Sequence, residues 1–247
     1  MNRGNSSSRS SRSRNSRLPP ASPRGSRLGL WVVRGINANS FENEANIYLW
    51  QTLIASLPID TFIFDHRPVY DRSATWETRL LDAADRLALN IESSLRTRDI
   101  GRVVLVGYDI GGIVIKKALQ YTLRDAPETA QRVALLVFFG TPHRARSLFQ
   151  WREIAHNLVP GSSIGSNDTL TDVARAFDEL SQATELLTGL FGVCNGSYGS
   201  YDTVSPYSAS LGLPATREYR FSWPSVMNLP GHLQRDLAQA LHDASGK

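Results

Sequence analysis

Residues 103–119, VVLVGYDIGGIVIKKAL, constrain the fold more than any other part of the chain. The unbroken apolar run from Val103 to Val106 suits a strand buried on both faces, as a central strand of a parallel sheet must be. Gly107, Gly111 and Gly112 then mark a sharp turn, and residues 113–123 read as a helix beginning just beyond it. A strand that turns through glycines directly into a helix is half of a parallel crossover unit, which points to an α/β architecture.

The rest of the chain agrees with that unit. Apolar runs recur at residues 28–33, 61–64 and 133–139, and residues 217–223 are expected as the last strand. Between the second and third runs, Leu80, Ala84, Leu87, Ile91 and Leu95 recur at steps of three or four, one face of a long helix over residues 74–98. Residues 146–158 and 171–190 read as helices, the latter with Val173, Phe177, Leu180 and Leu187 on one face, able to form a small helical lid. Residues 192–205, rich in Gly, Ser and Tyr, read as a loop or a frayed strand, and residues 232–242 as the last helix.

Charge divides the chain in two. Residues 1–28 hold seven arginines, nine serines and no acid, so they account for +7 and leave −3 on residues 29–247 out of the chain's +4. The basic balance therefore belongs to a tail, and a specific nucleic-acid surface on the folded part is not expected. The tail, residues 1–27, has too few apolar side chains to offset the entropy of ordering and is expected to be disordered, with one folded domain over residues 28–247. An Arg- and Ser-rich leader also fits a mitochondrial presequence, but three prolines and no Leu or Ile before Leu18 make a poor amphipathic helix. The lone Cys194 and the lack of a secretory hydrophobic core in the tail favour the cytoplasm, with the mitochondrion as the lesser alternative.

Strand, Gly107-Tyr108-Asp109-Ile110-Gly111 and helix have the pattern of a nucleophile elbow, in which glycines let a sharp turn present one side chain at the sheet's C-terminal edge. Together with the run Phe138-Phe139-Gly140-Thr141-Pro142-His143-Arg144, it resembles the lipase-type serine esterases related to serine-active-site-containing proteins and GPI inositol deacylases. Residues 111–119 are also similar to esterase-like domains that precede nucleotide-binding modules, and residues 208–214 to a late segment of the same family. The resemblance implies an α/β-hydrolase fold, a mostly parallel sheet with helices on both faces.

The departures change the expected chemistry. The family's nucleophilic Ser is Asp109 here, its His-Gly after the first strand is Arg34-Gly35, and its acid has no evident counterpart in residues 198–205. An ordinary Ser-His-acid esterase is therefore not expected, because that chemistry needs a hydroxyl for the base to activate. Two readings of different kinds remain. In one, the chain is a hydrolase of an ester, lipid or other electrophilic small molecule. Asp109 is the nucleophile, His232 the base and Asp202 the group that orients it, with backbone N–H groups of Ile36 and Ile110 as the oxyanion hole. In the other, the fold has kept a pocket and lost its chemistry, serving as a binding or regulatory module in which Arg34 and Asp109 form an ion pair across adjoining loops.

Tyr108, beside the nucleophile position, and His143 are further pocket candidates, although the resemblance makes His143 a support for its loop. Cys194 reads as an inert small residue, His66 as a strand-end loop residue, and Lys116 with Lys117 as a solvated helix face. No Cys/His spacing suggests a metal, no phosphate-binding loop appears, and no cofactor is expected. The expected partner is a small-molecule or lipid-like ligand, with room for a protein partner, and no apolar run reaches the ~18 residues of a membrane span.

Overall fold

A computed structural model of the chain describes residues 27–34, 50–55, 57–65, 75–143, 168–183, 189–194, 217–221 and 231–246. Six strands, β1 Arg27–Val33, β2 Ile59–Phe64, β3 Ile100–Tyr108, β4 Val133–Phe139, β5 Gly189–Cys194 and β6 Arg217–Phe221, form one sheet in the order β2-β1-β3-β4-β5-β6. Every pairing is parallel. Parallel neighbours need long crossovers. The described helices are α1 Trp76–Thr97, α2 Ile110–Asp125, α3 Pro127–Ala130, α4 Asp168–Ala183 and α5 Gly231–Ser245, with a further helical turn over residues 50–54.

Alternation along the strands feeds two cores. On one face Trp31, Val33, Leu105, Leu136 and Phe138 pack with α1, α2 and α4. On the other, Leu30, Val32, Val104, Val106 and Phe139 pack with Trp50, Ile54 and the Leu233, Leu237 and Leu241 stripe of α5. The α1 stripe is buried at Leu80, Ala84, Leu87 and Ile91, as its spacing predicts, and Thr75 caps the helix by accepting from the Thr78 N–H at 3.2 Å.

Two expectations need correction. The helix after the glycines starts at Ile110, so Gly111 and Gly112 lie inside it rather than before it. Helix α4 ends at Ala183, and residues 189–190, expected at the end of a helix, open β5 instead. Residues 192–194 belong to the same strand. The tail of residues 1–26, the 146–158 helix, residues 195–205 and the strand end at 222–223 lie outside the described residues.

The topology positions the site. Between β1 and β2 the helical turn at residues 50–54 packs on one face of the sheet, while α2, which leaves β3, packs on the other. The carboxyl ends of β1 and β3 are therefore the switch point of the topology, the place where open α/β sheets bind ligands. Arg34 follows β1 and Asp109 follows β3 at that switch point.

Candidate active site

Asp109 joins β3 to α2 with φ 48° and ψ −125°, and among the described residues it is the non-glycine with positive φ. A backbone held in such a region costs on the order of 1–3 kcal/mol and persists only where neighbours over-determine it. Here they do. The Asp109 N–H donates to the Phe139 carbonyl at 3.0 Å, and the Asp109 carbonyl accepts from the Gly112 N–H at 3.2 Å. The Asp109 side chain makes no capping bond to α2 and is half-buried. The turn thus holds the carboxyl group at the sheet edge.

Gly111 and Gly112 let the elbow close. A Cβ on Gly111 would stand 2.4 Å from the Val33 carbonyl oxygen and 2.5 Å from that of Arg34, so the start of α2 presses directly on the end of β1. A Cβ on Gly112 would stand 2.0 Å from Thr141 Oγ1, in the segment that leaves β4. Three strand ends therefore converge on the first turn of α2. Ile110, buried at the first position of that helix, contributes one of the N-terminal N–H groups, which carry partial positive charge. Ile36 and Asp202 lie outside the described residues.

The Arg34 guanidinium pairs with Asp65, just beyond β2, at 3.4 Å. Its side chain is 18% exposed, so a mostly enclosed cation stands one strand away from Asp109. Tyr108 is buried beside Asp109. Its ring stacks on Phe139 with centroids 4.8 Å apart, and its hydroxyl accepts from Trp50 Nε1 at 3.1 Å. His143 is buried against Phe138, edge to face at 4.9 Å, next to the buried Thr141.

His232 is exposed in the first turn of α5. Its level along the sheet follows from the far end of that helix, where Arg102 near the start of β3 donates to the Ala244 carbonyl at 3.1 Å. From Ala244 back to His232 the helix rises about 18 Å, and from Arg102 to Tyr108 the strand rises about 20 Å. Running antiparallel, the two bring His232 and Asp109 to the same edge of the sheet.

Trp50 and Thr141 were not among the candidates from sequence. Trp50 meets Tyr108 across 58 residues of chain, which no local pattern announces. Thr141 lies within the run that carries the family resemblance, and only its contact with Gly112 gives it a role. The reading of Lys116 as solvated is corrected: it is buried, 1% exposed, with Nζ 4.5 Å above the Phe177 ring. Lys117 is partly buried, and burial first, then the Arg124 charge, hold its ammonium below the ordinary lysine range against the opposing pull of Asp172.

Among the described residues no cluster of three His, Cys, Asp or Glu could hold a metal, and no helix is long and apolar enough to cross a membrane. Neither a family model nor a curated protein matches the chain. Solved structures do. Est1E from Butyrivibrio proteoclasticus superposes with a TM-score of 0.57 at 12% identity over 93% of this chain and 92% of its own. A metagenome-derived lipolytic enzyme from the LipS and LipT work gives 0.55 at 13% identity over 91% of this chain and 99% of its own. A fungal esterase from Rhizomucor miehei gives 0.51 at 12% identity over 92% of this chain and 78% of its own. Likeness at this identity speaks for architecture, and with the strand order and the elbow it gives the conclusion that the chain has the α/β-hydrolase fold.

Proposed function

We propose that this chain is a hydrolase of an electrophilic small molecule, an ester, a lipid or another activated carbon compound, with the Asp109 carboxylate as nucleophile. The observation that carries the reading is the retained strain at Asp109: a backbone geometry suited to glycine holds a carboxyl group at the carboxyl end of β3, at the switch point of the sheet. A carboxylate needs no base to become nucleophilic at neutral pH. At the saturated carbon of an epoxide or alkyl halide it displaces the leaving oxygen or halide, which departs with the electron pair, and an ester links Asp109 to the substrate; at the carbonyl carbon of an ester the same attack expels the alkoxide and gives a mixed anhydride.

His232 then takes a proton from water, whose oxygen attacks the Asp109 carbonyl carbon of that ester or anhydride. The Ile110 N–H, with that of Ile36, would stabilise the oxyanion. Collapse releases an alcohol from the ester, which takes the proton, or a carboxylate from the anhydride, and regenerates the Asp109 carboxylate with one oxygen from water. Asp202 is the proposed orienting acid for His232.

Turnover of epoxides, alkyl halides and activated esters in heavy-oxygen water tests this sequence of bonds. The expected result is heavy oxygen in the peptide containing Asp109, and accumulation of the substrate's mass on that peptide in His232→Ala. Absence of both labels across the panel would overturn it.

A second reading rests on Arg34, whose carbonyl lies against the elbow and whose largely enclosed guanidinium pairs with Asp65. A cation there can neutralise Asp109, leaving a pocket for binding rather than for chemistry. A protein that binds such ligands without turning them over, and in which Asp109→Ser restores no esterase activity, would follow this second reading.

A further inference from the structure

The strain at Asp109 must be held by something, and the contacts on the preceding residue show what. Tyr108 ends β3 on the face opposite α1 and is gripped from two sides. One side is the Phe139 ring, stacked at 4.8 Å and 13°, and the Phe139 carbonyl also receives the Asp109 N–H at 3.0 Å. On the other, Trp50 Nε1 donates to the Tyr108 hydroxyl at 3.1 Å. Trp50 is fully buried, and its ring meets Phe139 edge to face at 6.3 Å. Three aromatic residues from three parts of the chain thus form one cluster under the nucleophile turn.

We propose that Trp50 is a positioning residue for the Asp109 carboxylate, acting through Tyr108. The inference rests on the reading of Asp109 as nucleophile. The Asp109 N–H is held by the Phe139 carbonyl, and Tyr108 pairs with Phe139 in the sheet, so the turn relaxes only when the end of β3 moves against β4, and the Tyr108 ring moves with it. The Trp50 N–H resists the shift because the ring cannot move without leaving a buried donor and a buried hydroxyl apart. The donor comes from the helical turn at residues 50–54, outside the strand and helix that form the elbow. Reacting groups lose rate steeply when displaced by about an ångström, so a hydrogen bond one residue away can govern reactivity.

Trp50→Phe removes the donor and keeps an aromatic ring, while Tyr108→Phe keeps the stack and removes the hydroxyl. Each is compared with the full chain by amide hydrogen exchange and by alkylation of Asp109 with a small aryl epoxide. In both variants the Asp109 amide is expected to exchange faster, on the order of 10-fold, while the α1 amides keep their protection. Alkylation at saturating epoxide is expected to slow by roughly 10- to 100-fold with the half-saturating concentration unchanged, a split that loss of pocket packing would not give. The double variant should be no slower than the worse single one.

Unchanged Asp109 exchange in both variants overturns the proposal, as does faster exchange shared equally by α1. If the wild-type chain is alkylated and both variants keep its rate, the positioning role alone fails. If the wild-type chain is never alkylated at Asp109, the nucleophile reading fails, and Trp50 has no catalytic group to position.

Discussion

Thr141 fills the space that a side chain on Gly112 would need: a Cβ there would stand 2.0 Å from Oγ1 and 2.8 Å from the threonine Cβ. The first turn of α2 and the segment leaving β4 are thereby fitted to one another, and the elbow sits between them. Gly112→Ala should destabilise the fold by about 1–3 kcal/mol, the usual cost of overpacking a closed core. Thr141→Gly in that background should restore part of the loss. A urea-denaturation cycle that gave additive losses would show that the two positions do not compete for this space.

Phe177 of α4 supports the helix that carries the elbow. Its buried ring meets Phe138 edge to face at 6.1 Å and lies under the Lys116 ammonium. Phe177→Ala should cost about 3–5 kcal/mol through the cavity it opens. Phe177→Leu keeps most of the volume and loses the ring face, so it should cost less. In a Lys116→Met background the Phe177→Leu loss should shrink by roughly 0.5–2 kcal/mol, the worth of a cation over an aromatic face. An unchanged loss in the double variant would mean that the ammonium gains nothing from the ring.

Much of this was legible in the sequence where the signal is local. The strand at residues 103–106 and the α1 stripe were read from contiguous apolar residues and from helical spacing, because burial on two faces or one leaves that imprint on neighbours in the chain. Signals that depend on distant partners were not legible. Two adjacent glycines weaken a helix, so Gly111 and Gly112 read as a turn; the closeness of the β1 carbonyls and Thr141 explains why they lie inside α2. Lys116 read as solvated until a ring 61 residues further on was seen to cover it. The strand Gly189–Cys194 lacks strong patterning and is set by pairing with β4. The position of Asp109 at an elbow was legible from its glycines, whereas the backbone strain that it bears was not.

A charge cluster on the outer part of α2 gives a prediction with a definite sign. Arg124 pairs with Asp125 at 2.6 Å and holds that carboxyl below its ordinary range, and its charge also depresses Lys117, after burial. Arg124→Gln should therefore raise both values, and Lys117 should recover only in part because its burial remains. Carbon and nitrogen NMR titrations of the two side chains measure this directly. Because folding lowers the Lys117 value beneath 10.5, the unfolded chain holds more protons just below that pH. This group's contribution to stability thus rises with pH through that window. For Asp125, lowered from 3.8, the contribution is present above 3.8 and is lost as pH falls through the folded value. A Lys117 value unmoved by Arg124→Gln would leave burial as its sole cause.

Asp109→Gly separates a carboxylate kept for chemistry from one kept for structure. At φ 48° and ψ −125° a side chain is strained and glycine is at ease. Relief of about 1–3 kcal/mol is offset by the roughly 0.5–1 kcal/mol that glycine costs in unfolded-state freedom. The variant should therefore match the wild-type chain or exceed it by up to about 2 kcal/mol in urea, while losing all heavy-oxygen incorporation at position 109. The binding-module reading requires the opposite: removing Asp109 leaves the largely enclosed Arg34 charge with Asp65 as a partner and should cost about 1–3 kcal/mol. Thermal and urea unfolding of Asp109→Gly beside Asp109→Asn decide between them, since Asn keeps the strain and removes only the charge. A large loss in both variants, relieved by Arg34→Met, would identify the pair as structural and end the case for a nucleophile. Stability retained in Asp109→Gly would leave the strained carboxylate without a structural purpose, as a catalytic group should be.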